Sequence, residues 1–274
     1  MFTVDPSTTL HGVNAMSMIL TSYENSVATI TMNNPRRLNA LSESLIEEIM
    51  AAMEGFRKQK ARALVLRAQD GVKVWSAGHD VKELPLTRRD PLGWDDPLRM
   101  VVREIETFPS PVIAMIEGGV WGGACEVTFA CDMVVAERNA TFAVTPAKLG
   151  VPYNTTGLLN FMHAASRMIV REMVFTAQPI SAKRAEMLGI VNYVVDKTDL
   201  QAKVDELLGH VLNNAPLSIA VIKEQFRIME SAHSITPRIF ERIQGLRRAV
   251  YDSEDYREGL TAFLEKRKPD FTGN

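Results

Sequence analysis

Pro109-Ser-Pro-Val-Ile-Ala-Met-Ile-Glu-Gly-Gly-Val-Trp-Gly-Gly-Ala-Cys-Glu126 is the stretch on which the reading of this 274-residue chain turns. Its first half is an apolar, β-leaning run. It breaks at Gly118-Gly119 and again at Gly122-Gly123, after which the apolar residues fall at helical spacing. A strand that turns through glycines into a helix aims unpaired backbone N–H groups and the positive helix end at one point. Such a corner can hold a developing oxyanion, and Gly123 sits where a side chain would fill the space meant for the bound oxygen.

A second run supports this use of the corner. Trp75-Ser-Ala-Gly-His79-Asp80 follows the apolar strand Ala63 to Ala68, and the N–H of His79 is placed to join that of Gly123. Without this partner, the glycines would need no role beyond close helix–strand packing.

Working outward, Ile19 to Tyr23 and Val27 to Met32 read as a hairpin across Glu-Asn-Ser. Ser42 can cap a helix whose apolar face is Leu45, Ile46, Ile49, Met50, Met53 and Phe56. Leu84 to Pro97 is a polar, proline-punctuated loop, and Pro97 starts a helix to Thr107. Strand Val112 to Glu117, helix Gly122 to Ala130 and strand Met133 to Ala136 continue a β-then-α alternation, which predicts an α/β fold with right-handed crossovers and stacked sheets. A short strand from Thr141 leads to Pro146, and Leu149 to Asn154 is expected to be a non-helical loop carrying Tyr153. The spacing then predicts one helix over Leu158 to Met173, a second from Ser181 to Leu188 with Gly189 past its end, a strand Val191 to Val195, and helices from about Asp199 onward. The expected organisation is a loose leader over 1–17, a core over 18–198 and a helical region over 199–274.

The formal net charge is −2, so no broad basic field recommends nucleic acid or an anionic membrane as partner. The two cysteines, Cys125 and Cys131, lack metal-ligand spacing and read as buried thiols of a reducing compartment. With no long apolar run and no transit-type start, a cytoplasmic location is expected. No metal site is expected.

The runs Asn33-Asn-Pro-Arg-Arg-Leu-Asn-Ala-Leu41, Ser76-Ala-Gly-His-Asp80, Gly118-Gly-Val-Trp-Gly-Gly-Ala-Cys-Glu126 and Ala262-Phe-Leu-Glu-Lys-Arg-Lys-Pro269 resemble the crotonase (enoyl-CoA hydratase/isomerase) superfamily. The resemblance implies a spiral of ββα units with a C-terminal helical region that helps build trimers or pairs of trimers. It also implies an acyl-CoA thioester substrate, with coenzyme A as part of that substrate and no separate cofactor, and an enolate held by the N–H groups of His79 and Gly123. Residue by residue, it carries coenzyme A contacts to Arg36, Arg37 and Leu38, to Ala77, Asp80 and Val81, and to Phe263 and Lys266, the last two often donated by a neighbouring subunit. Within the superfamily, Asp96-Pro-Leu-Arg99, Leu149-Gly-Val-Pro-Tyr-Asn154 and Arg242 to Tyr256 resemble its branch that decarboxylates methylmalonyl-CoA.

The hydratases of the superfamily use two glutamates. Glu126 matches the first, and the second falls at Ala147, which cannot transfer a proton. A missing carboxylate suits a malonyl-type thioester, because a second anion would repel the substrate's own in a dry pocket. Thr145, His79 and Tyr153 are the polar candidates to hold that carboxylate and to protonate the enolate, from Tyr153 or a water. Glu126 must point away, pair with a cation or serve structure. Trp75, Trp121 and Phe129 are the aromatic candidates for the acyl side. Two other functions remain open: an enoyl-CoA hydratase or isomerase working with Glu126 alone, and a catalytically idle acyl-CoA-binding protein.

Overall fold

The computed structural model describes residues 17–85, 90, 93–231 and 236–273, so the expected leader lies outside the described residues except for its last position. The chain opens with the hairpin β1 (Ile19–Glu24) and β2 (Val27–Met32), joined through Asn25 and Ser26 with positive φ. Helix α1 (Glu43–Lys58) follows, with the Ser42 side chain accepting from the Leu45 N–H as its cap. Then come β3 (Ala63–Ala68), β4 (Val74–Ser76) and α2 (Pro97–Thr107); β5 (Val112–Ile116), β6 (Gly119–Trp121) and α3 (Gly123–Phe129); and β7 (Met133–Glu137), β8 (Thr141–Ala143), α4 (Thr155–Ala164) and α5 (Arg167–Thr176). The chain continues through β9 (Ile180–Ser181), α6 (Ala182–Met187), β10 (Tyr193–Val195) and four helices: α7 (Leu200–Asn213), α8 (Pro216–Glu230), α9 (Pro237–Tyr251) and α10 (Glu254–Leu264).

Two sheets organise these elements. The larger runs β1-β2-β3-β5-β7-β10 and the smaller β4-β6-β8-β9. Each of three successive units therefore sends its first strand to the large sheet, its second to the small sheet, and then a helix: a ββα spiral. The large sheet is parallel apart from the β1–β2 hairpin, and its central strands β3, β5 and β7 are buried on both faces. Helix α7 covers one of them, with Leu200, Val204, Leu207 and Leu208 packed on Ala63, Val65, Ile113, Met115 and Val135. That double burial is why β3 and β5 read as continuous apolar runs rather than alternating ones.

Four expectations are corrected. Strand β5 does not feed α3 directly, because β6 intervenes and belongs to the other sheet. Likewise, the Ser76 to Asp80 run leaves β4, not β3. The switch between sheets is made at Gly118, with φ +82°, where an added Cβ would lie 2.5 Å from the Lys73 carbonyl oxygen. Only glycine allows the two backbones to approach so closely. The single helix expected over Leu158 to Met173 is two, broken at Ala165, whose φ −150° and ψ 162° are extended. Leu149 closes a short 3-10 turn, Pro146–Leu149, before the irregular segment that carries Tyr153.

The C-terminal helices fold back on their own chain. Tyr251, Tyr256 and Leu260 cluster with Leu84 and Val151, and the Tyr251 and Tyr256 hydroxyls donate to the Pro152 and Pro85 carbonyls at 3.3 and 3.0 Å. Helix α10 presses on the Pro146–Leu149 turn, an added Cβ at Gly150 lying 2.7 Å from the Asp255 carbonyl oxygen. Among the described residues no helix is long and apolar enough to cross a membrane.

Candidate active site

The turn from β4 and the start of α3 meet. A Cβ added at Gly78 would lie 2.8 Å from the Gly123 nitrogen, and one added at Gly123 would lie 3.5 Å from the His79 nitrogen. Both N–H groups are free of the chain's own acceptors among the described residues: Leu41 pairs with the flanking Gly78 carbonyl and Asp80 N–H instead, and Gly123 is the first residue of its helix. His79 and Gly123 both line a cavity of about 360 Å³.

That cavity is apolar. Leu38, Val81, Leu84, Leu98, Leu149, Val151 and Phe263 line it with Ala77, His79, Trp121, Thr145, Lys148 and Tyr153, and among the described residues its lining includes no carboxylate. Thr145 stands beside the donor turn, its hydroxyl oxygen 3.0 Å from where a Gly122 Cβ would be. Phe263 reaches the cavity from the same chain. Trp121 is the wall aromatic, whereas Trp75 is core, its indole N–H donating to the Met115 carbonyl at 2.9 Å, and Phe129 packs against Phe142 and Phe161. Ala147 is exposed and lines a different hollow.

Behind the Tyr153 wall lies a buried ionic group. Glu126, with no exposed surface, receives the Arg99 guanidinium on Oε1 and the Tyr153 hydroxyl on Oε2 at 2.5 Å. Of the three roles open to Glu126, pairing with a cation is the one found. Burial pushes the Tyr153 hydroxyl well above the usual tyrosine range, so its proton stays on and is donated to the carboxylate. Gly157 makes room, since a Cβ there would lie 2.7 Å from Glu126 Oε2. Arg99 and Gly157 were missed as site residues. The sequence signal for Arg99 was an arginine in the first turn of an amphipathic helix, on the face that turns inward.

His79 has both ring nitrogens engaged, Nε2 with Asp96 Oδ2 at 3.0 Å and Nδ1 with the Asp80 carbonyl at 3.2 Å. Of the residues matched to coenzyme A contacts, Leu38, Ala77, Val81 and Phe263 line the cavity. Arg36 is exposed, as is Lys266. Asp80 is buried, pairs with Arg37 and caps the following turn through the Lys82 N–H at 3.1 Å. Lys148 was missed. It lies on the exposed 3-10 turn, where nothing in the sequence distinguishes it from a solvated lysine. Among the described residues no group of three or more His, Cys, Asp or Glu is placed to hold a metal ion.

The fold is a ββα spiral with the His79 and Gly123 backbones side by side at an apolar cavity, and the chain belongs to the enoyl-CoA hydratase/isomerase family, whose model matches residues 22–274. It is 50% identical over 250 residues to the methylmalonyl-CoA decarboxylase of Escherichia coli (strain K12), covering 91% of this chain and 96% of that one. A solved methylmalonyl-CoA decarboxylase in complex with 2-nitronate-propionyl-CoA superposes with a TM-score of 0.92 at 49% identity, over 94% of this chain and 99% of the other. The short-chain-enoyl-CoA hydratase of Clostridium acetobutylicum is 27% identical, over 92% of this chain and 97% of its own.

Proposed function

We propose that this protein decarboxylates methylmalonyl-CoA, or a closely related malonyl-type thioester, to propionyl-CoA and carbon dioxide, through an enolate held by the N–H groups of His79 and Gly123. The observation that carries the reading is an apolar cavity at which the His79 and Gly123 backbones lie side by side, with no carboxylate in its lining among the described residues. The similarity to the E. coli decarboxylase supports the same reaction.

The chemistry asks little covalent work of the protein. The bond to the departing carboxylate must stand perpendicular to the thioester plane, so that its electron pair enters the enolate as carbon dioxide leaves. Charge then grows on the thioester oxygen, where the two N–H groups are aimed; one such donor contributes about 3 kcal/mol. Of the polar side chains expected to orient the substrate carboxylate, Thr145 lines the cavity with its hydroxyl uncommitted among the described residues, whereas Tyr153 gives its proton to Glu126 and both His79 ring nitrogens are engaged, so the enolate carbon takes its proton from a water. The Arg99–Glu126 pair adds no net negative charge behind the wall, which removes the repulsion an isolated glutamate would exert. Glu126 is too enclosed and too fully bonded to activate water for hydration, which disfavours the hydratase reading.

The cavity holds the acyl and thioester end, with Leu38, Ala77, Val81 and Phe263 along its wall and Arg36, Arg37 and Lys266 toward the coenzyme A phosphates. Asp80 acts there by holding Arg37. No separate cofactor is needed, since coenzyme A arrives with the substrate. We also assign a homo-oligomer, a trimer or a pair of trimers: α8 has no buried residue, yet presents Leu217, Val221, Ile222, Phe226 and Ile228. Free, buried Cys125 and Cys131 fit a reducing cytoplasm.

The test is turnover. Purified protein given methylmalonyl-CoA, malonyl-CoA or ethylmalonyl-CoA should release carbon dioxide and the shortened thioester with no added biotin, thiamine or metal. Failure with all three, or faster addition of water to crotonyl-CoA, would overturn the reading, and coenzyme A binding without any reaction would favour an idle acyl-CoA-binding protein.

A further inference from the structure

Asp96 stands at one corner of the site and does more than cap a helix. Its side chain is 5% exposed. Oδ1 accepts from the Leu98 and Arg99 N–H groups at 2.9 and 3.3 Å, closing the N-terminus of α2, while Oδ2 faces His79 Nε2 at 3.0 Å. A carboxylate oxygen accepts, so Oδ2 takes its hydrogen bond from His79 Nε2.

The other ring nitrogen is in the same position. Nδ1 faces the Asp80 carbonyl at 3.2 Å, and a carbonyl also only accepts. A neutral imidazole carries one N–H and one lone pair, and would turn that lone pair on an acceptor at one end or the other. The doubly protonated ring satisfies both.

We infer that Asp96 is a positioning residue: it holds the His79 ring as an imidazolium on the cavity wall and ties the His79 N–H, one half of the donor pair, to the start of α2. The same helix brings Leu98 against Gly123, where an added Cβ would lie 2.7 Å from Leu98 Cδ2, and Arg99 onto Glu126. One carboxylate thus sets the charge beside the growing enolate, the place of one donor and the register of the helix that carries the opposite wall.

The groups facing the ring agree in sign. Burial opposes the charge on His79, but the hydrogen bond and attraction of Asp96, the Asp80 carbonyl and the more distant Glu83 outweigh it, and the ring's pKa is raised. The Asp80 carboxylate is turned to Arg37, and Arg99 is held by Glu126. Because the folded pKa is raised, the charge is complete below the ordinary histidine pKa of about 6.5 and is lost as pH rises through the folded value.

The kinetic consequence rests on the decarboxylase reading, but the charge state does not, so two measurements separate them. With histidine labelled by 15N, the His79 signal, assigned by its loss in His79→Gln, should show an imidazolium in the wild type well above pH 6.5. Asp96→Asn keeps a good helix cap and removes the charge. It should lower the His79 midpoint by at least about one pH unit, a tenfold change in proton affinity. The alkaline limb of kcat should move by the same amount, with kcat near neutral pH down about tenfold and KM changed less than about threefold. Asp96→Ser, a neutral cap, should behave as Asp96→Asn does. A neutral His79 ring at pH 7 in the wild type would overturn the inference, as would an unshifted midpoint in both variants. If no thioester turns over, the proposed reaction fails while the NMR midpoints still decide the charge.

Discussion

Replacing Arg99 with methionine would leave the Glu126 carboxylate buried, with the Tyr153 hydroxyl at 2.5 Å as its remaining side-chain partner. The side chains of Arg99 and Glu126 are 5% and 0% exposed, so water cannot take over the lost bond. Breaking a buried pair by removing one partner costs about 3–5 kcal/mol. The carboxylate has one escape, which is to take a proton. From an unfolded pKa of about 4.3, neutralising it costs about 3.7 kcal/mol at pH 7 and about 1 kcal/mol at pH 5, at 1.36 kcal/mol per unit. The folded pKa of Glu126 in the variant lies above the unfolded one, so the destabilisation grows as pH rises above about 4.3. Chemical denaturation should therefore show Arg99→Met less stable than the wild type by about 3–4 kcal/mol at pH 7 and by about 1 kcal/mol at pH 5. Adding Glu126→Gln should recover most of the loss at pH 7. A loss under about 1 kcal/mol at pH 7, or one independent of pH, would refute the reasoning.

Two further outcomes follow from the same geometry. Gly123→Ala places a methyl 2.7 Å from the flexible end of Leu98 and 3.5 Å from the His79 nitrogen, in the space meant for the substrate oxygen; kcat should fall about 10²-fold or more with the fold intact by circular dichroism, and a change under about threefold would show that the two N–H groups do not hold the oxyanion. Burial pushes the Cys125 thiol up to about 12 and raises that of Cys131 as well, so the native protein should resist iodoacetamide at pH 8 over hours and react at both thiols once unfolded, whereas rapid native labelling would contradict the burial.

Local signals carried much of this fold. The hairpin, the Ser42 cap, the Pro97 helix start and the double-glycine corner before α3 were legible because each depends on residues within one turn or one strand of each other. The pairing of His79 with Gly123 was legible too, since each follows a short motif that leaves an N–H unpaired. Strands β4 and β6, at three residues each, are too short for a period-two pattern to show, and without them the two sheets could not be separated. The break at Ala165 carries neither glycine nor proline to mark it.

The ionic group behind the cavity was decided by tertiary structure alone. Arg99, Glu126 and Tyr153 are spaced 27 residues apart, one from each of three successive units of the spiral, and they meet because the strand crossovers bring those units into contact. The sequence by itself determined the glycine turn into α3 and the alanine at 147, which the fold sets outside the cavity. Only the packed chain determined that Glu126 is neutralised by Arg99 and that His79 is clamped by Asp96, because a buried charge takes whatever partner the fold places within reach.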